Sequence, residues 1–204
     1  MKIHIIDYGM GNLGSVKMAV RHLGFEAKIC KSPKALEKAD KIILPGVGSF
    51  SEAMEELKKN AWVSSIREQV IEKRKPLLGI CLGMQLLASY GEEGRKTFGL
   101  NLIKGKVTHL SNLGCTEKIP HVGWNDTHMK NKSKLFSNIG SGNDFFYIHS
   151  YAFEAENPVN ISSVVFYEKE ITASIENQNI FGTQFHPEKS SKVGLKLLRN
   201  FLEL

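Results

Sequence analysis

Leu77-Leu78-Gly79-Ile80-Cys81-Leu82-Gly83-Met84-Gln85 is the stretch that decides how this 204-residue chain folds. Pro76 to Ile80 has the short apolar run of a buried strand, and Leu82 to Ala88 reads as the beginning of a helix. Glycines on both sides of Ile80-Cys81-Leu82 let a backbone pass tightly from one to the other. The pattern is a nucleophile elbow with cysteine in place of serine. A thiol at a helix N-terminus faces unpaired N–H groups and the positive end of the helix dipole, which favour the thiolate. A plain core cysteine competes with this reading, since free cysteine is among the most buried residue types.

A second stretch decides between them. Ile180-Phe181-Gly182-Thr183-Gln184-Phe185-His186-Pro187-Glu188-Lys189-Ser190 carries an imidazole and a carboxylate two residues apart, directly after an apolar run. In extended backbone such a pair projects to one side. Cysteine hydrolases need a base for the thiol proton and a third group that orients the base. Cys81, His186 and Glu188 fit these roles.

Outward from the elbow, the first half alternates apolar strands with amphipathic helices. Strands are predicted at Lys2–Ile6, Glu26–Ile29, Lys41–Leu44 and Pro76–Ile80, with helices at Asn12–Leu23 and between Ser49 and Glu72. That is an α/β chain with a mainly parallel, doubly wound sheet. Beyond the elbow helix the pattern changes to short strands near Leu102–Leu110, Phe145–Tyr151, Ser162–Tyr167, Ile171–Glu176 and Ile180–Phe185, predicted to add antiparallel pairs at the sheet edge. Val193–Leu202 has helical spacing. Residues 1–204 read as one domain, without repeat or linker.

The composition is that of an ordinary globular protein, with 42% hydrophobic and 24% charged residues. No run approaches a membrane span, and the chain enters its first strand at Lys2 without a signal-peptide pattern, so a cytoplasmic protein is expected. Cys30, Cys81 and Cys115 are too few and too scattered for a disulfide framework or a zinc site, and no metal or cofactor is implied. The formal charge of +6 comes from dispersed lysines without arginine–aromatic clustering, which argues for a solvated surface and against nucleic acid.

The elbow and the His-Pro-Glu ending resemble the class I, triad-type glutamine amidotransferases. Asp7-Tyr8-Gly9-Met10-Gly11-Asn12-Leu13, Leu44-Pro45-Gly46-Val47-Gly48-Ser49-Phe50, Ile119-Pro120-His121-Val122-Gly123-Trp124-Asn125, Phe146-Tyr147-Ile148-His149-Ser150-Tyr151 and Gln184 to Ser190 are similar, within that family, to the glutaminase subunits of imidazole glycerol phosphate synthase. The resemblance implies a class I amidotransferase fold and hydrolysis of glutamine to glutamate and ammonia through a thioester on Cys81. It implies an oxyanion hole from the N–H groups of Val47 and Leu82, formed after a local peptide rearrangement tied to partner and ligand binding. It implies glutamine binding by Gly48, Gln85, Glu93 and the backbone of His149, Ser150 and Tyr151, with Glu92 a rival to Glu93. It further implies a (β/α)₈-barrel cyclase as heterodimer partner, docked through Asn12, Trp124 and Lys189. A paralogue serving surface-polysaccharide synthesis and a non-catalytic regulatory module are the alternatives.

Gly9-Met10-Gly11-Asn12-Leu13-Gly14 also spells the dinucleotide-binding glycine fingerprint. That fingerprint needs an acid at the end of the second strand, where this chain has Ile29-Cys30-Lys31-Ser32. Nucleotide binding is therefore disfavoured.

Overall fold

A computed structural model describes residues 1–204. Its elements run β1 (Ile3–Ile6), α1 (Leu13–His22), β2 (Ala27–Cys30), β3 (Lys41–Gly46), α2 (Phe50–Lys59), α3 (Trp62–Arg67), β4 (Leu77–Cys81) and α4 (Leu82–Gln85). There follow β5 (Tyr90–Gly91), β6 (Thr97–Phe98), β7 (Gly105–His109), β8 (His121–Met129), β9 (Asn143–His149), β10 (Tyr151–Ala155), β11 (Ile161–Tyr167), β12 (Lys169–Asn177), β13 (Ile180–Thr183) and α5 (Ser191–Leu202). No helix is long and apolar enough to cross a membrane.

The nine-stranded main sheet has the order β2-β1-β3-β4-β13-β12-β11-β8-β9. β2, β1, β3, β4 and β13 are mutually parallel, and the strands from β12 to β9 pair antiparallel. β3 and β4 are buried along their whole length, as strands covered on both faces must be. Alternate residues feed two cores. Ile42 and Leu44 pack with Phe50, Ala53 and Trp62 of α2 and α3. Ile43, Leu78 and Ile80 pack with Val16 and Val20 of α1 and Leu197 and Leu198 of α5. Each such aliphatic side chain contributes about 1.5–3 kcal/mol by leaving water.

Several sequence expectations are corrected. The helix expected over Leu82–Ala88 stops at Gln85. The carbonyls of Leu86, Leu87 and Ala88 accept instead from the N–H groups of Leu100, of Leu102 and Ile103, and of Asn101. A distant segment thus takes the acceptors that further helical turns would use. The strand expected over Phe145–Tyr151 is two strands: β9 belongs to the main sheet, and β10 belongs to a second, four-stranded sheet of order β10-β7-β5-β6. Ser150 is the residue at which the chain changes sheets. The second half therefore builds a separate small sheet as well as antiparallel strands in the main one, and β13 returns to the parallel part beside β4. β8, which the apolar runs did not announce, alternates through polar residues and is a strand by virtue of its partners β9 and β11.

Candidate active site

Cys81 ends β4 and precedes the single turn α4, with φ 55° and ψ −113°. For a residue with a Cβ this is strained backbone, held because β4 is hydrogen-bonded to β3 and β13 and α4 packs on the buried strands. The flanking glycines permit the tight passage expected of them, by leaving out a Cβ and not by a left-handed backbone. Neither Gly79 nor Gly83 has positive φ. They permit close approach: a Cβ on Gly83 would lie 1.8 Å from the carbonyl oxygen of Leu44, and one on Gly79 would lie 2.6 Å from that of Gly83. The strained turn falls on the cysteine itself, which lifts its sulfur to the C-terminal edge of the sheet, where open α/β sheets place their ligands.

β13 lies beside β4 in parallel register, with Thr183 opposite Ile80, so the residues after β13 reach the same edge. The strand ends at Thr183, short of the expected Phe185, and Pro187–Lys189 form a 3₁₀ turn. His186 and Glu188 therefore meet through a turn and not through the alternation of an extended strand. Glu188 Oε1 lies 2.8 Å from His186 Nδ1, both side chains being nearly inaccessible to water. Because a carboxylate only accepts, Nδ1 carries the proton. His186 Nε2 is buried without a hydrogen-bond partner in the resting fold, and it opens with the Cys81 sulfur onto one cleft. Burial pulls the His186 pKa down, yet hydrogen bonds and charge from Cys81 and Glu188 outweigh it and lift the pKa to about 9. The trio places a protonatable imidazole, oriented by a carboxylate, at the same cleft as a thiol.

A cleft of about 310 Å³ opens over the sulfur, a volume suited to a small molecule. It brings together the expected residues Val47, Gly48, Cys81, Leu82, Gln85, Glu93, His149, Ser150, Tyr151 and His186, with Pro120 and Ile148 completing its wall. The N–H groups of Val47 and Gly48 bond to no other group of the protein. Glu93 Oε2 accepts from the Phe50 N–H at 2.6 Å, so this acid caps α2 and faces the cleft. Glu92 is exposed, accepts from the Thr108 hydroxyl and does not line the cleft. Gln85 was expected to bind glutamine. Its Nε2 already donates to Tyr151 O and to Gln184 Oε1, each at 2.9 Å, which leaves its oxygen for a ligand.

His149 lends the cleft its backbone more than its ring. Nδ1 donates to Tyr151 O at 2.9 Å, so Nε2 accepts from His121 Nδ1 at 3.0 Å. Burial drives the pKa of His149 down to about 3 and that of His121 to about 4. This neutral pair ties β8 to β9 where the chain crosses between sheets.

The family model for class-I glutamine amidotransferases matches residues 4–204 of the chain. The chain belongs to the class I glutamine amidotransferases. It is 45% identical over 201 residues to imidazole glycerol phosphate synthase subunit HisH 2 of Methanococcus maripaludis, covering 98% of both chains. It is 44% identical over 202 residues to subunit HisH 1 of Campylobacter jejuni strain RM1221, covering 99% of this chain and all of that one. In fold it matches a solved glutamine amidotransferase with TM-score 0.78 at 18% identity, covering 98% of this chain and 97% of that one. PurLQS from Thermotoga maritima matches with TM-score 0.77 at 20% identity, covering 99% and 97%.

In this amidotransferase the three residues expected at a partner face are not all free surface groups. Trp124 is 54% exposed, and its ring meets Phe146 edge-on at 6.0 Å. Lys189 Nζ lies 5.8 Å from the centre of the same Phe146 ring. Asn12 is exposed but has a local function: its Oδ1 accepts from Ser15 N at 3.3 Å and caps α1. The glycine-rich segment before it supports the cleft from below. Met10 Cε lies 2.7 Å from where a Cβ of Gly48 would be, and Tyr8 Oη lies 2.7 Å from that of Gly46. Tyr8 Oη is buried without a hydrogen-bond partner.

Two groups escaped the sequence reading. Gln184 stood in a quoted motif without a function, although its place two residues before His186 was a signal. His121 carried none beyond its neighbours Pro120 and Trp124. A larger hollow of about 610 Å³ lies at the opposite, N-terminal edge of β1 and β2. It is walled by Lys2, Lys28, Lys34 and Lys38 and contains none of the residues of the Cys81 cleft.

Proposed function

We propose that this chain is the glutaminase subunit of an imidazole glycerol phosphate synthase of histidine biosynthesis, acting in the cytoplasm as one domain over residues 1–204. Glutamine enters with its carboxamide over Cys81, its α-amino group toward Glu93 and Gln85 Oε1, and its α-carboxylate toward the backbone of His149–Tyr151. The Cys81 thiolate attacks the carboxamide carbon. The oxyanion that forms is held by the N–H groups of Val47 and Leu82, and loss of one such donor typically costs about 3 kcal/mol. His186 gives its Nε2 proton to the departing ammonia, leaving a glutamyl thioester. Water then attacks the thioester with His186 as base, which frees glutamate and restores the thiol.

The observation that carries this reading is the buried His186–Glu188 pair at 2.8 Å, with His186 Nε2 left over for the Cys81 sulfur. Full-length identity of 44–45% to subunits named HisH favours the histidine pathway over the polysaccharide one and over a non-catalytic module.

Ammonia released into water at neutral pH is protonated and lost, so the product must pass directly to a partner, here a (β/α)₈-barrel cyclase in a heterodimer. An apolar strip supports a docking face: exposed Val122 pairs with exposed Ile148, and exposed Trp124 with half-buried Phe146, across β8 and β9 beside Lys189. Asn12 is the third docking group of this reading. The test is Cys81→Ser in the assembled complex. Glutamine-dependent synthesis is abolished while synthesis from ammonium salts persists; loss of both would make Cys81 structural and refute the assignment.

A further inference from the structure

We propose that Gln184 is a thiolate-stabilising residue, its side-chain amide donating a hydrogen bond to the Cys81 sulfur while Gln85 fixes which way that amide points. The inference rests on Cys81 being the nucleophile. Gln184 is fully buried, and its Nε2 lies 3.7 Å from Cys81 Sγ. Its Oε1 accepts from Gln85 Nε2 at 2.9 Å.

The orientation of the two amides follows from one backbone group. Tyr151 O, 2.9 Å from the end of the Gln85 side chain, can only accept, so Gln85 presents its NH₂ there. The same NH₂ also meets the Gln184 side chain, which must offer its oxygen. The Gln184 NH₂ is thereby turned onto the sulfur. An inverted Gln184 would set an oxygen against Sγ and two NH₂ groups against each other.

The sulfur has three polar neighbours, and they pull in different directions. Ile148 O, 3.8 Å away, can accept only from the protonated thiol. His186 Nε2 takes the thiol proton. The Gln184 N–H bonds weakly to a neutral sulfur and far better to an anionic one, because a charged acceptor roughly doubles the strength of such a bond. Cys81 is only 7% exposed, so water contributes little to holding its charge. Gln184 is the neutral donor that offsets Ile148 O and keeps the nucleophile ionised without repelling the imidazolium.

The experiment measures alkylation of Cys81 by iodoacetamide against pH in the full-length chain, with peptide mapping to separate it from Cys30 and Cys115. Gln184→Met keeps the volume and removes the donor. Gln184→Glu keeps an acceptor for Gln85 and puts a negative charge beside the sulfur. We expect the midpoint to rise by roughly one to two pH units in Gln184→Met and by at least as much in Gln184→Glu, with thermal melts reporting folding. A wild-type midpoint in the folded methionine variant overturns the proposal; if that variant does not fold, Gln85→Met, which releases the Gln184 amide from its fixed orientation, raises the midpoint if the proposal holds and leaves it at the wild-type value if it fails. Failure of the underlying reading looks different: Cys81 would then show no preferential alkylation in the wild type, or Cys81→Ser would keep glutaminase activity in the complex.

Discussion

Replacing Glu188 with glutamine keeps the length of the side chain that holds His186 and removes its charge. Burial lowers the His186 pKa, while bonds and charge from Cys81 and Glu188 raise it, for a net value of about 9 against 6.5 in an unperturbed histidine. That rise corresponds to on the order of 3 kcal/mol of preference for the imidazolium. Glu188 supplies part of that rise, so Glu188→Gln lowers the His186 midpoint by roughly one unit, on the order of 1 kcal/mol. A group whose folded pKa is raised stabilises the fold fully below its unfolded value and loses that contribution as pH climbs through the folded one. The wild type is therefore more stable than the variant by on the order of 1 kcal/mol near pH 6. The gap closes as pH rises through about 9, and beyond it reverses, because a buried carboxylate without a cationic partner is a cost. Urea unfolding at a series of pH values, with the imidazole titration followed by NMR, measures both. The glutaminase rate of the complex falls at least about tenfold at neutral pH. An unchanged His186 midpoint, or a stability gap independent of pH, refutes the claim that Glu188 acts through charge on Nδ1.

Three further outcomes follow from the geometry. Gly83→Ala drives a Cβ to 1.8 Å from Leu44 O, backbone against backbone, and destabilises the fold by about 3 kcal/mol or more in denaturant titration; a change under 1 kcal/mol would mean that α4 shifts freely. Tyr8→Phe removes a buried hydroxyl that has no partner, so the melting temperature holds or rises, by an amount equivalent to about 1 kcal/mol; a loss of stability would show that the hydroxyl is hydrogen-bonded in the folded state and refute this reading. Val47→Pro deletes an N–H that bonds to no other protein group, so partner binding by calorimetry persists while ligand-induced glutaminase activation is lost. Full activation of that variant removes Val47 as the oxyanion donor.

The alternation of apolar strands and amphipathic helices in the first half was legible because β1, β3 and β4 are buried along their whole length and α1 and α2 bury one face, a local property written in the period of the residues. The same holds for the elbow, where a thiol sits between strand and helix, and for the choice of residue types at 186 and 188. What the period does not carry is which distant segment supplies a hydrogen-bond partner. The elbow helix stops at Gln85 because Leu100–Ile103 take the carbonyls that would have continued it. The strand ending at His149 breaks because Tyr151 pairs with His109 in another sheet. His186 and Glu188 meet through a 3₁₀ turn, which nothing in the apolar pattern distinguishes from a strand end. Gln184 has a function only because β13 lies beside β4, which brings an amide onto a sulfur 103 residues away in sequence. Local chemistry chose the residues; the pairing of remote strands, which depends on the whole chain closing around two cores, decided which of them touch.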